Sequence, residues 1–514
     1  MRRAAPQTLL ALGAASAGAI GIVSALTPEI AARSDVIQGV LPPGVTSAAR
    51  ILALSIGIAL VWLSRSLARG RHRAWQLAVA LVLVSAAVHL AKGLDFEESA
   101  VSLVLLLALW RWRSFFRAPG EPAALRPLVR VLAALGVVAV LRAFANMREY
   151  DRIQSALTVI AFALAFNALY LWLRPLAGRV RQSARDRTAA ERIVSEHGRD
   201  SLAFFALRRD KSWFFSPSGG SFLAYRVVNG TALVAGEPIG DAAELPELLA
   251  EFRRVAASRG WRTGLLNVGA DRLPLTRSLG FHSIYFGDEA IVRPASFSLE
   301  GRAIRKVRQA VARIERTGYR IRMLSSHDAG PELQAELARV SDEWRGRWPD
   351  RGFCMAMDSY EEGMIAVAEG PDGSVGGFVH LVPSPASGGY SLGAMRRRRD
   401  TPNGLMEALV VETIAWAKRQ GVPELSLNFS VFGDVLRSRG PAPGPKRLLR
   451  FTLLRLDRFF QLERLNSFSA KFFPEWRPRY ICFERWTDLP LVCLAYLHVE
   501  SLLTPPGPWV RSSV

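Results

Sequence analysis

YSLGAMRRRRDTPNGLMEALVVETIAWAKRQGVPELSLNF, residues 390–429, reads as a strand, a basic loop, a helix over about 404–420 and a second strand. The stretch therefore predicts a mixed α/β sheet with helices on both faces. Immediately upstream, VGGFVHLVP pairs with YSLGAMR through the turn-forming SPASGG, and helices at 301–317 and 331–346 flank the strand YRIRML. Further upstream the order recurs. FLAYRVV and TALVAGEPIG flank Asn229-Gly230, a strong hairpin signal. A helix at about 244–259, the strand TGLLNV, a short helix ending at Gly280 and the strands HSIYF and EAIVR follow. Strand, strand, helix, strand appears twice, a structural duplication with little sequence identity.

Residues 1–173 are of another kind. They hold 17 Lys/Arg and 8 Asp/Glu, against 49 and 37 in residues 174–514. Six apolar stretches, at about 8–26, 48–64, 74–91, 99–110, 127–145 and 155–173, approach the length that crosses ~30 Å of hydrocarbon as helix. Arginine gathers in alternate gaps: Arg2 and Arg3; Arg65, Arg69, Arg71 and Arg73; Arg111, Arg113, Arg117 and Arg126. The other gaps carry Asp35, then Asp95, Glu97 and Glu98, then Glu149 and Asp151. By the positive-inside rule the basic gaps, both termini and everything after residue 174 face the cytoplasm. The expected architecture is an α-helical membrane domain of about six spans (1–175), a polar linker helix (176–200) and two α/β subdomains (201–320 and 321–514), in the plasma membrane.

A net charge of +21 favours anionic partners, nucleic acid or phospholipid. Cys354, Cys482 and Cys493 form no disulfide framework, and no CxxC or HExxH suggests zinc. No G-x-x-x-x-G-K-[ST] loop is present.

The element order across 390–429 resembles the core of GNAT-type acyltransferases, whose loop before the helix cradles a pyrophosphate on backbone N–H groups. That loop usually reads Q/R-x-x-G-x-G/A. Here it is Arg399-Asp-Thr-Pro-Asn-Gly404, with one glycine and with Pro402 removing a donor. More specifically, AGEPIGD (235–241), SFSLEGRAIRKVRQAVARIERTGYR (296–320), the 391–421 segment, LSLNFSVF (425–432) and KFFPEWRPRY (471–480) together resemble the C-terminal domain of phosphatidylglycerol lysyltransferases, the multiple peptide resistance factor family. The resemblance covers about 190–485. It implies tandem GNAT-like folds after the membrane domain. It also implies transfer of a lysyl or similar group from aminoacyl-tRNA to a lipid hydroxyl, with resistance to antimicrobial peptides as the outcome. The implied partners are aminoacyl-tRNA, anionic phospholipid and the membrane, with a homo-oligomer open, and no cofactor is required. One position departs: the family often has S-x-D-x-M-R, and here Gly393 replaces the Asp in Ser391-Leu-Gly393-Ala-Met395-Arg396.

Several side chains are candidates for the chemistry. On helix 301–317, Arg302, Arg305, Lys306, Arg313 and Arg316 share one face opposite Ile304, Val307, Ala310, Val311 and Ile314. This is a rail for tRNA phosphates or anionic lipid, or a solvated basic face. Arg396 is a candidate catalytic clamp for phosphate or carbonyl, or an ordinary strand-end arginine. Lys471 and Glu475 complete the catalytic set, with Glu475 either binding an ammonium, acting as base, or salt-bridged to a neighbouring arginine. Asn403, Glu407, Asn428, Trp476, Arg479 and Tyr480 are counted as substrate-binding, Trp476 and Tyr480 chiefly by packing. His380, in an apolar strand, reads as a core histidine rather than a base. Residues 446–462 suit a membrane-surface helix or a buried one with a basic edge. Two rival functions stand: an acyl-CoA-dependent GNAT enzyme on a membrane anchor, and a lipid transporter with a non-catalytic cytosolic domain. The loop charges predict that a reporter fused behind residue 514 is active in the cytoplasm; activity on the far side of the membrane would invert this topology.

Overall fold

The computed structural model describes residues 6–27, 45–93, 96–147, 151–178, 180–348, 352–357, 359–431 and 462–503. Asp358 and most of the basic 446–462 segment lie outside these. The chain divides into two compact units, residues 1–177 with 254–261, and 178–253 with 262–514.

In the first unit every apolar stretch is helical: α1 (Pro6–Leu26), α2 (Val45–Leu67), α3 (His72–Gly93), α4 (Phe96–Arg111), α5 (Leu125–Met147) and α6 (Asp151–Trp172). Among the described residues, four helices, over Pro6–Leu26, Ala49–Leu67, Pro122–Arg142 and Arg152–Trp172, are long and apolar enough to cross a membrane. At 16 residues α4 is short for a span. Gly18 of α1 lies against Gly57 of α2, and a Cβ on Gly18 would come within 2.6 Å of the Gly57 carbonyl. These backbones touch because neither residue has a side chain.

The second unit opens with α7 (Ala184–His197), shorter than the linker helix expected at 176–200. Its first half continues as β1 (Ser212–Phe215), β2 (Ser221–Val228), β3 (Thr231–Ala235), β4 (Ile239–Gly240), α8 (Leu245–Ser258), β5 (Arg262–Gly269), α9 (Leu273–Ser278) and β6 (His282–Val292). The second half follows as α10 (Arg305–Arg316), β7 (Arg320–Ser325), α11 (Pro331–Arg345), β8 (Met364–Glu369), β9 (Val375–Ser384), β10 (Gly389–Arg397), α12 (Leu405–Arg419), β11 (Leu425–Val431), α13 (Leu462–Ser469), β12 (Glu475–Phe483) and α14 (Leu489–Val499). The Asn229-Gly230 turn has both φ angles positive, 48° and 72°, as a two-residue hairpin demands.

The strands form one sheet in the order β1-β2-β3-β5-β12-β6-β11-β10-β9-β8-β7, with β4 beside β2. Among the described strands β3/β5 and β10/β11 are parallel, each pair joined through a helix, and the other pairings are antiparallel. The two halves are thus the same motif, and they exchange a strand. β6 leaves the first half to pair with β11, while β12, at the end of the second half, returns to lie between β5 and β6. The 471–480 motif, grouped by sequence with residues 321–514, therefore builds the sheet of the first half.

Strand alternation assigns the two faces. Ile365 and Val367 of β8 pack with Leu337 and Val340 of α11. Ala366 and Ala368, pointing the other way, join Val307 and Ile314 of α10 and Leu405, Leu409 and Ile414 of α12.

At the strand exchange lies Arg479, 4% exposed. It binds Glu289 of β6 through Nε (3.0 Å) and Nη2 (2.5 Å), and Asp200 through Nη1 (2.5 Å). Removing one partner from such a buried pair typically costs about 3–5 kcal/mol, while replacing both by apolar groups is often neutral. Arg479→Met should sharply lower the melting temperature of the purified full chain, and adding Glu289→Leu should recover part of it. Equal melting of wild type and single variant would show that the pair does not hold the exchange.

Candidate functional site

The parallel strands β10 and β11 are in register at Tyr390↔Leu425 and Ser391↔Ser426. Beyond these residues β10 is bulged between Leu392 and Ala394. On β11, Asn428 turns into the left-handed region at φ 79°. The strands separate there, and the chain's own residues fill the wedge between them. Asn428 Nδ2 donates to the carbonyls of Leu392 (3.2 Å) and Met355 (2.6 Å), and the Met357 N–H donates to the Gly393 carbonyl (3.2 Å). Arg208 holds this 352–357 segment from below, through the carbonyls of Gly352 (3.1 Å) and Ala356. Glu500 accepts the Gly352 N–H at 2.7 Å.

His380 borders the bulge. Its Nε2 is 2.6 Å from the Glu362 carbonyl and its Nδ1 has no partner. Burial pushes the imidazole down to about 4, so it is neutral at physiological pH. A Cβ at Gly393 would lie 2.7 Å from that Nδ1, so any side chain at 393 meets the ring.

The loop after β10 bends back on itself through Arg397 Nη1, which donates to the Thr401 carbonyl (3.2 Å) and hydroxyl (3.1 Å). It ends at Gly404, whose φ of 108° suits glycine and whose missing Cβ lets Ala310 of α10 approach. Arg313 of α10 donates to the Asn403 carbonyl at 3.3 Å. In the first turn of α12, Glu407 pairs with Lys471 at 2.7 Å. Lys471 stands on a short helical turn, Ala470–Phe472, that leads into β12.

The sequence candidates fall into separate pairings. Arg396 places its guanidinium carbon 4.0 Å from the centroid of Trp344, Lys471 meets Glu407, and Glu475 meets Arg293 (3.2 Å) and Arg477 (3.1 Å). The hydrogen bond from Arg477, followed by Arg293, holds the Glu475 carboxyl below its ordinary range, which suits a salt bridge better than a base. Arg305 and Lys306 are exposed in the first turn of α10, while Arg302 precedes the helix, which starts later than expected. Ile304, Val307, Ala310 and Ile314 are buried on the opposite side. Trp476 packs against the α10–α12 core, and Tyr480 stands edge-on to Tyr285 at 6.4 Å.

Sequence reasoning missed the buried charge cluster around Arg479. Ser426 Oγ donates to Glu289 (2.5 Å), Ser201 Oγ also donates to Glu289, and Ser391 Oγ donates to the Ser201 carbonyl (2.5 Å). Every strand from β10 to β12 thus contributes. Glu237, in the AGEPIGD segment, accepts the Gly269 N–H (2.7 Å) and lies 3.8 Å from Arg479. Three carboxylates (Asp200, Glu237 and Glu289) face one guanidinium. Arg479, helped by Ser201 and Ser426, overcomes burial and keeps the Glu289 carboxyl low. Glu237 is left to respond to burial and to Asp200, and rises to about 8. The signal was there, a carboxylate in a conspicuous Gly-rich segment, but nothing local marked its burial.

Residues 191–483 match the family model described as phosphatidylglycerol lysyltransferase, C-terminal. The lysylphosphatidylglycerol biosynthesis bifunctional protein of Rhodococcus jostii is 34% identical over 397 residues, 75% of this chain and 36% of that protein. Its Mycobacterium avium counterpart is 31% identical over 502 residues, 87% of this chain and 42% of that protein. The chain therefore spans about two fifths of these curated relatives. Among solved structures, L-PGS from Bacillus licheniformis superposes with a TM-score of 0.53 at 24% identity, over 61% of this chain and 96% of that one. That likeness shows a shared fold.

Glu237 gives a pH test. With its folded value raised, the folded state keeps a proton that the unfolded chain releases from about pH 4.5 upward. This contribution is full at low pH and is lost as pH rises towards 8. Between pH 5 and 8 the wild-type melting temperature should fall relative to that of Glu237→Gln, and the two curves should run parallel above. Parallel curves throughout would mean that Glu237 is ionised in the fold.

Proposed function

Because the chain belongs to the phosphatidylglycerol lysyltransferase C-terminal family, we propose that it transfers a lysyl or similar aminoacyl group from aminoacyl-tRNA to the hydroxyl of a membrane lipid, phosphatidylglycerol first among them. In this reading the first unit crosses the membrane six times. The second unit, a pair of GNAT-like folds sharing one sheet, works on the cytoplasmic side where charged tRNA is found.

The observation that carries the reading is the filled wedge. An acyl-CoA donor would lay its extended amide arm beside the bulged strand, as an added strand does. The carbonyls of Leu392 and Gly393 are instead taken by Asn428 and Met357. The following loop offers one glycine and a proline. The exposed cations of α10 favour a polyanionic donor instead.

In the reaction the lipid hydroxyl oxygen bonds to the ester carbonyl carbon, the bond from that carbon to the tRNA ribose oxygen breaks, and the hydroxyl proton ends on the released ribose oxygen. Negative charge gathers on the carbonyl oxygen as the tetrahedral centre forms, and Lys471 is our candidate to meet it. Glu407 holds the Lys471 ammonium from the start of α12, which places a fixed cation at a helix N-terminus already favourable to anions. Arg396 and the α10 rail hold donor phosphates. Arg479 acts from within, as the side chain that fixes β12 and with it the Lys471 turn.

Full chain in phosphatidylglycerol vesicles should form aminoacylated lipid from charged tRNA, detected by mass spectrometry, and none from acetyl-CoA. Ribonuclease should abolish the product. Lys471→Ala should lower the rate about a hundredfold while the protein stays folded and inserted. Product that survives ribonuclease, or forms from acetyl-CoA, would refute the reading. Lipid translocation without any aminoacyl product would favour the transporter.

A further inference from the structure

α11 ends in a feature that the packing of the core does not use. Leu333, Leu337 and Val340 face the sheet, and Trp344 continues their stripe to the end of β10. There its ring leaves the core: Trp344 is 50% exposed and Trp348, on the turn that follows, 48%. The chain reverses between them at Gly346, φ 59°.

Arginines surround the pair. The Arg396 guanidinium lies over the Trp344 ring, 4.0 Å from its centroid. Arg399 Nη2 comes within 3.2 Å of where a Cβ on Gly346 would be. Arg345 and Arg347 flank the turn. The acids of α11 hold this basic run in place: Glu336 binds Arg398 at 2.5 Å, and Glu343 accepts the Arg399 N–H at 3.1 Å. The same loop runs on to Asn403, whose carbonyl receives Arg313 of α10. A basic path therefore connects the α10 rail, through the 397–403 loop, to the two indoles.

Cations spaced along a path that ends in exposed aromatic faces are what single-stranded nucleic acid requires, phosphates on the first and bases on the second. A membrane contact fits less well. A bilayer is met by an apolar and basic surface at one place, whereas these cations continue along the 397–403 loop to Arg313 of α10, a line that suits an extended polyanion.

We propose that Trp344 and Trp348, with Arg396 and Arg399, form a stacking platform for the unpaired 3′-terminal nucleotides of the donor tRNA. The proposal rests on the aminoacyl-tRNA reading above and adds to it where the ester-bearing end of the donor is gripped. Arg396 then serves both parts, holding a phosphate while its other face supports the indole on which a base stacks.

The test titrates the full chain in nanodiscs with intact tRNA and with the same tRNA trimmed of its unpaired 3′ nucleotides. Wild type should prefer intact tRNA by about tenfold, a modest share of what base–aromatic stacking supplies. Trp344→Ala with Trp348→Ala should bind both RNAs alike, at the trimmed affinity, and Trp344→Phe with Trp348→Phe should keep most of the preference. Wild type that binds both RNAs equally, or an alanine variant that still discriminates, overturns the platform and leaves the donor assignment standing. Wild type that binds neither RNA overturns both. Brominated lipid that quenches wild-type fluorescence more than that of the alanine variant places the tryptophans against the bilayer and overturns the platform in favour of a membrane contact.

Discussion

The contact between Arg479 and Glu289 joins two strands that belong, by chain order, to different halves of the sheet. Their partners extend the joint: Asp200 from the turn after α7, Ser426 from β11, and Ser391 from β10 through Ser201. A guanidinium buried with one carboxylate would struggle against its own desolvation. Here several acceptors share its donors, and hydroxyl groups satisfy the remaining carboxylate lone pairs. The cost of the excess negative charge falls on Glu237, which keeps a proton well above the ordinary carboxyl range. The arrangement at the bulge follows from this joint, because Ser391 and Ser426 are also the last residues at which β10 and β11 stay in register.

The two halves use one motif to different ends. Each places an asparagine in the left-handed region on the strand after its crossover helix, Asn267 on β5 and Asn428 on β11. In the second half that asparagine bridges the opened strands through its amide. In the first, the backbone carbonyl of Asn267 receives Arg479 at 3.4 Å. The duplicated position thus serves two ends: one asparagine braces a segment of the chain, and the other borders the charge cluster.

What could be read in the sequence was local. Residues 390–429 announced strand, loop, helix and strand through spacing alone, and Asn229-Gly230 announced its hairpin because that pair tolerates two positive φ angles. The face of α10 was legible for the same reason: burial of Ile304, Val307, Ala310 and Ile314 follows from a 3.6-residue period. The strand exchange was not legible. β12 contains Pro478 and alternating charges, was assigned no strand from its sequence, and owes its stability to neighbours that no local pattern reveals. Arg479 was counted as substrate-binding because its partners lie 190 and 279 positions away. Arg396, Lys471 and Glu475 looked like one constellation because they share a resemblance. In space each has its own counterpart, because a resemblance between segments carries no distances between side chains.

The exchanged strand also sets an order of events for the growing chain. β5 and β6 are made early, yet the strand that belongs between them follows about 190 residues after Glu289. During synthesis at ~5–20 residues per second, the facing edges of β5 and β6 wait unpaired for many seconds. Such edges recruit other strands. The halves cannot mature one after the other as separate beads, and folding closes only when the last strand threads home, a late and long-range step that makes this a slow topology. A nascent chain of this design needs protection at its open gap until then.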